Sequence, residues 1–141
     1  MNRVLIDTDV ILDFFFDRKP YSDYATSLLS LCEKKEISGF ITPVIISNVY
    51  YLLRKTSNHQ KVIEKLNQLI LILDILLIDR EIIMRSLNST FRDFEDAIQN
   101  YTAERDNSID VILTRNTKDY KSSKLAILTP ENYLKSRIAS R

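Results

Sequence analysis

The chain has 141 residues, about the size of one ordinary domain. Hydrophobic residues make up 45% and charged residues 28%, which excludes disordered, collagen-like and membrane-spanning composition. The 20 Lys and Arg against 19 Asp and Glu leave a formal charge of +1, too balanced to argue nucleic-acid binding from bulk charge, although a local basic patch stays open.

Rare residues exclude whole chemistries. With one glycine, Gly39, the chain cannot build a G-x-G-x-x-G dinucleotide loop or a Walker A loop, which need several glycines where backbone approaches phosphate. The single Cys32 and single His59 exclude an intrachain disulfide and a thiolate or imidazole zinc cluster. His59 lies in the polar run Ser57-Asn58-His59-Gln60 and reads as a solvated residue near a helix start rather than a triad base. An active site must therefore use carboxylates, amides, hydroxyls and basic side chains. The start Met1-Asn2-Arg3-Val4-Leu5-Ile6-Asp7 meets an acid too early for a signal-peptide core, and the apolar stretch Leu69 to Ile78 is too short to span a bilayer. With the lone thiol, this makes the cytoplasm the expected location.

In chain order, Val4-Leu5-Ile6 reads as a buried strand that stops at Asp7, followed by a helical turn or two over Asp9 to Phe16. Tyr24, Ala25, Leu28, Leu29, Leu31 and Cys32 recur at helical spacing between Tyr21 and Lys35. Gly39 is expected at a helix-to-strand turn, with Phe40-Ile41 the next strand. Pro43 suits the first turn of a helix reaching Arg54. After a polar break at Thr56 to Gln60, Val62, Leu66, Leu69 and Ile70 mark another amphipathic helix, and Asp74 to Ile78 is a third strand. Asp79 caps a helix to about Leu87, Asn88-Ser89-Thr90 breaks it, and Asp93 to Arg105 is helical. Val111-Ile112-Leu113 and Ala126-Ile127-Leu128 are the last strands, and Thr129-Pro130-Glu131 opens a closing helix to about Ile138. Short apolar strands alternating with helices predict an α/β fold, a three-layer α/β/α sandwich around a mainly parallel sheet.

In such sheets ligands bind beyond the carboxyl ends of the strands. Asp7 ends the first strand, Asp9 follows it, and Thr114 to Asp119 brings Arg115, Asn116 and Asp119 to the same rim. Asp93 and Asp96 share one face of a first helical turn. Carboxylates gathered at one rim repel each other unless a cation neutralises them, and oxygen donors suit Mg2+ or Mn2+. Each acid also has a structural use: Asp93 and Asp9 as helix caps, Asp119 as a turn residue. Asp7, directly ending an apolar strand, is the hardest to explain in that way.

Four segments carry a family resemblance. Asp7-Thr8-Asp9-Val10-Ile11-Leu12-Asp13 resembles the opening motif of PIN domains, and Asp93-Phe94-Glu95-Asp96-Ala97 with Ala103 resembles their D-F-x-D-A segment. Leu113-Thr114-Arg115-Asn116-Thr117-Lys118-Asp119-Tyr120 and Ile127-Leu128-Thr129-Pro130-Glu131 are similar to the two closing segments. The resemblance covers 1–141 and implies a single PIN-like domain. It implies a Mg2+- or Mn2+-dependent endoribonuclease of the kind found as the toxin in VapBC-type bacterial toxin-antitoxin pairs. It places Asp7 and Asp96 at metal-binding positions, with Asp93 a neighbouring acid and Thr114 a supporting hydroxyl. The fourth position falls on Asn116 or the nearby Asp119, a choice the sequence leaves open.

One departure stands out. Where the family has a Glu in the helix after the second strand, Ile46-Ser47-Asn48-Val49-Tyr50-Tyr51 has Asn48, which brings no charge and cannot act as a base. Asp9, where the opening motif usually has Asn, is a candidate for restoring that charge at the metal.

Two readings of function follow: an RNA endonuclease, or a catalytically weakened PIN-fold module that binds RNA or a protein partner. A small-molecule phosphoesterase is a third. Arg54, Lys55, Arg115, Lys118, Lys121 and Lys124 are candidates for RNA phosphate contact. The apolar surfaces around Phe14-Phe15-Phe16 and Val49-Tyr50-Tyr51 serve either the core or an interface. The toxin resemblance implies a homodimer, an antitoxin partner, an RNA substrate and no membrane.

Overall fold

The computed structural model describes residues 1–105 and 108–140. Five short strands form one sheet: β1 (Arg3–Ile6), β2 (Ser38–Ile41), β3 (Asp74–Ile75), β4 (Val111–Leu113) and β5 (Ala126–Leu128). Every pairing is parallel and the order is β3-β2-β1-β4-β5. Val4, Leu5, Ile6, Ile41, Val111, Ile112 and Leu113 are all buried, as a parallel sheet covered on both faces requires.

The helices are α1 (Thr8–Phe15), α2 (Tyr21–Glu33), α3 (Pro43–Arg54), α4 (His59–Ile72), α5 (Arg80–Leu87), α6 (Phe94–Arg105) and α7 (Pro130–Ala139), with a 3-10 turn at Thr117–Tyr120. Helices α1 to α4 and α7 pack among themselves, and α5 packs on α6. Right-handed crossovers explain the division. The chain steps outward from β1 to β2 to β3 along one face, then returns through α5 and α6 across the other to reach β4. This is the three-layer α/β/α sandwich expected from the alternation of strands and helices.

Direction reverses between β1 and β4, and the crevice beyond the carboxyl ends at such a switch is where open parallel sheets bind ligands. Asp7 follows β1 and Thr114 follows β4, and Asp7 N–H donates to the Leu113 carbonyl at 3.0 Å, tying the two strand ends together.

Several local expectations shift. Gly39 lies inside β2, not in a turn. A Cβ there would come within 2.5 Å of Leu73 Cδ2 and 2.6 Å of Cys32 Sγ, so any side chain at this position would have to displace both. The residue that ends α2 in the left-handed region is Lys35, at φ 61°. Helix α4 begins at His59, because Asn58 accepts from Lys61 N–H and caps it inside the polar run read as a break. The third strand stops at Ile75: Asp74 and Ile75 are exposed at the sheet edge, and the apolar residues that follow, Leu76 to Ile78, form no strand.

Candidate active site

Asp7 is the N-cap of α1, accepting from Thr8 N–H at 2.8 Å through Oδ1. Its Oδ2 accepts from Thr114 Oγ1 at 3.0 Å and from the Tyr120 hydroxyl at 3.2 Å. Asp96, in the first turn of α6, lies near the same hydroxyl, whose presence favours its ionised form. A phenol only 1% exposed thus donates to the Asp7 carboxylate beside Asp96. Burial and the two neighbouring acids push the phenol's ionisation far up, so it remains a donor.

The pair is electrostatically costly. Burial first, then the Asp9 charge, raises Asp7 to about 6. Burial first, then the charges of Asp7, Asp93 and Asp119, raises Asp96 to about 7.

The other acids are held for different reasons. Asp9 Oδ2 accepts from Arg115 N–H at 3.0 Å, from Asn116 Nδ2 at 3.3 Å and from Thr114 Oγ1 at 3.4 Å, anchoring the turn after β4. Its Oδ1 is buried without a hydrogen-bond partner, and burial raises its ionisation. Asp93 stands at the N-cap of α6, with its Oδ1 accepting from Asp96 N–H at 3.0 Å, as a purely structural reading of that acid also predicts. Asp13, 1% exposed, is clasped by Arg115 Nε at 2.6 Å and Arg18 Nε at 2.8 Å.

A cavity of about 640 Å³ gathers these residues. Asp7, Asp9, Asn48, Asp93, Asp96, Arg115, Asn116 and Asp119 all line it, while Thr114 is buried behind Asp7. Asn48 reaches Glu95 across the cavity, Nδ2 to Oε2 at 3.0 Å. Glu95, Gln99 and Arg18 also line the cavity, and the sequence alone does not single them out. Tyr120, in the 3-10 turn that follows β4, is a further site residue that the sequence signals only by its place beside Asp119.

Of the cations considered for phosphate contact, Lys55 and Arg115 line this cavity, and Lys118 and Lys121 line an adjoining groove with Arg92. Arg54 and Lys124 line neither; Arg54 donates to the Ser57 carbonyl at 2.9 Å. The Arg115 guanidinium is engaged by Asp13 and stacks 4.1 Å from the Tyr21 ring centre, so Arg115 holds the rim together.

Hard carboxylate oxygens at Asp7, raised by burial and the Asp9 charge, and at Asp96, raised by burial and the Asp7 charge, fit Mg2+ or Mn2+. Among the described residues no three His, Cys, Asp or Glu side chains converge as a cation cage. Two carboxylates completed by water and a substrate phosphate are the usual way such ions are held. Such an ion would supply Lewis acidity and a more acidic water. The chain's own contribution is orientation, with Thr8, Thr114 and Tyr120 fixing Asp7, and the Asp93 cap of α6 placing Asp96. Thiol chemistry is absent, because Cys32 is buried and burial pushes its thiol to about 12.

Comparisons with known proteins agree with this architecture. Among solved structures, the chain is similar to VapBC2 from Rickettsia felis bound to a promoter DNA fragment, at 16% identity and TM-score 0.64, covering 89% of this chain and 96% of that one. FitAcB from Neisseria gonorrhoeae gives 16% identity and TM-score 0.66, over 91% and 98%. VapC20 from Mycobacterium tuberculosis, a sarcin-ricin loop cleaving toxin, gives 13% identity and TM-score 0.60, over 77% and 86%. No curated protein matches. The PIN domain model matches residues 3–118, which include Asp7, Asp96 and the whole rim up to Lys118, and the chain therefore belongs to the PIN domain family.

Proposed function

We propose that this chain is a Mg2+- or Mn2+-dependent RNA endonuclease and the toxin of a toxin-antitoxin pair, formed by a single PIN domain and working in the cytoplasm. The observation that carries the reading is the pairing of Asp7 with Asp96 under one buried hydroxyl, Tyr120, at the sheet's switch point. Two carboxylates so arranged suit a divalent ion better than a pair of fixed negative charges. Lys55 in the cavity and Arg92, Lys118 and Lys121 in the adjoining groove flank that pair with positive charge, as a polyanionic strand requires. The solved relatives include a toxin that cleaves the sarcin-ricin loop.

The test is cleavage of structured RNA with Mn2+ supplied or chelated. Activity is expected with Mn2+ and absent with EDTA or in Asp7→Asn. Cleavage that survives both EDTA and Asp7→Asn overturns the metal reading.

Asn48 favours a second reading, a PIN-fold module that binds RNA or a protein without cutting. Mn2+ calorimetry separates the two, since a binding module without metal shows no saturable heat. An antitoxin partner and a homodimer accompany the toxin reading. Exposed apolar side chains support such contacts, with Leu71 86% and Leu77 76% exposed. A monodisperse monomer in ultracentrifugation at micromolar concentration would count against the dimer. Among the described residues no helix is long and apolar enough to cross a membrane.

A further inference from the structure

Outside the Asp7 and Asp96 pair, the acids of the cavity differ in what already occupies them. Asp9 holds the turn after β4, Asp13 lies between two arginines, and Asp93 caps α6. Asp119 lines the cavity with Asp96, and its negative charge helps to raise the Asp96 carboxyl. Glu95 is different. It is exposed, lines the same cavity, and its carboxylate is held from the opposite wall by the Asn48 amide at 3.0 Å.

We propose that Glu95, positioned by Asn48, is a catalytic residue of this site, the carboxylate that receives the proton of the attacking water. The inference rests on the nuclease reading above. An exposed Glu on a first helical turn would otherwise sample many rotamers; a hydrogen bond to a half-buried side chain on α3 selects one that faces the cavity. Asn48 can donate but cannot take a proton, so the charge and basicity of the Asn48 and Glu95 pair reside on α6. Asp9 Oδ2 accepts three donors from the β4 turn while its Oδ1 is buried without a partner, so Asp9 remains a candidate for supplying charge at the metal and Glu95 for supplying the base.

The step balances without further reagents. A water oxygen bonds to phosphorus, its proton passes to Glu95, and the bond from phosphorus to the leaving nucleotide oxygen breaks. That oxygen takes a proton from solvent, and Glu95 returns its own to solvent.

The experiment compares wild type, Glu95→Gln, Asn48→Ala and Asp7→Asn, by cleavage of a labelled structured RNA at saturating Mn2+ and by Mn2+ calorimetry without RNA. Gln keeps a carbonyl oxygen that accepts from Asn48, so the link across the cavity survives while the base is lost. Glu95→Gln is expected to lower kcat about 100-fold with KM within about twofold and with a changed pH profile, the size usual for loss of a positioned base. Asn48→Ala, which retains the base but not its orientation, is expected to lower kcat less and to leave Mn2+ affinity intact.

Wild-type kcat in Glu95→Gln, with Asp7→Asn inactive, overturns this inference and leaves the nuclease reading standing. A loss of Mn2+ affinity with full kcat at saturating Mn2+ also overturns it, since Glu95 would then only hold the ion. Cleavage by Asp7→Asn in EDTA overturns the metal reading, and the absence of any cleavage by wild type at saturating Mn2+ overturns the nuclease reading itself.

Discussion

Asp7 performs two tasks that pull against each other. As the N-cap of α1 it accepts from Thr8 N–H and helps the chain fold. As a carboxylate 9% exposed beside Asp9, its ionisation rises from 3.8 to about 6. Between those values the folded chain binds a proton that the unfolded chain has released. Stability from this group is therefore greatest below about pH 4 and is lost as pH rises through 6, by about 3 kcal/mol at most. Urea titrations without divalent ions should show stability falling between pH 4.5 and 7, and Asp7→Asn should flatten that slope. An unchanged slope in the variant would contradict the burial argument. Tyr120 is the companion case. Tyr120→Phe removes the donor to Asp7 beside Asp96 but preserves the ring packed near Phe91, so Mn2+ affinity should fall about 10- to 100-fold with the fold intact. Calorimetry giving the wild-type affinity would make the hydroxyl irrelevant. Asp7 is legible in the sequence as an acid ending an apolar strand, although the structure gives it a structural use that the sequence reading does not assign, the N-cap of α1. Tyr120 and Glu95 are not legible there, because their meaning comes from partners far away in sequence: the Tyr120 bond to Asp7 spans 113 positions and the Glu95 bond to Asn48 spans 47.

At the scale of elements, the helices with clear caps were the most readable. Asp79 accepts from Ile82 N–H and Thr129 from Asn132 N–H, and both start helices where the sequence suggests. Thr42, buried, accepts from Ile45 N–H to start α3 and donates to Gln99 Oε1 at 2.7 Å, joining α3 to α6 behind the cavity. Gly39 was misread because a lone glycine signals a turn, whereas here its missing side chain makes room for Leu73 and Cys32. Gly39→Ala should cost about 1 to 3 kcal/mol in urea unfolding, the usual penalty of overpacking a close contact. A neutral result would mean that the Leu73 and Cys32 side chains yield without cost. The short β3 was overestimated because the run from Leu69 to Ile78 is apolar on both sides of Asp74, and periodicity alone cannot separate a helix end from a buried strand.

For the whole molecule, alternating patterns gave the sandwich and its parallel sheet, while the order β3-β2-β1-β4-β5 emerged only from the pairings. That order gives the site its location. With β4 beside β1, the ends of two strands distant in sequence meet, and α6 returns across the opposite face to bring Asp96 against Asp7. The most direct measurement is anomalous scattering from a Mn2+-soaked crystal. The account predicts one peak bonded to an oxygen of Asp7 and an oxygen of Asp96, about 2.0 to 2.2 Å from each, the range for small divalent ions on carboxylates. An ion held elsewhere, or no peak between those two carboxylates at saturating Mn2+, would contradict it.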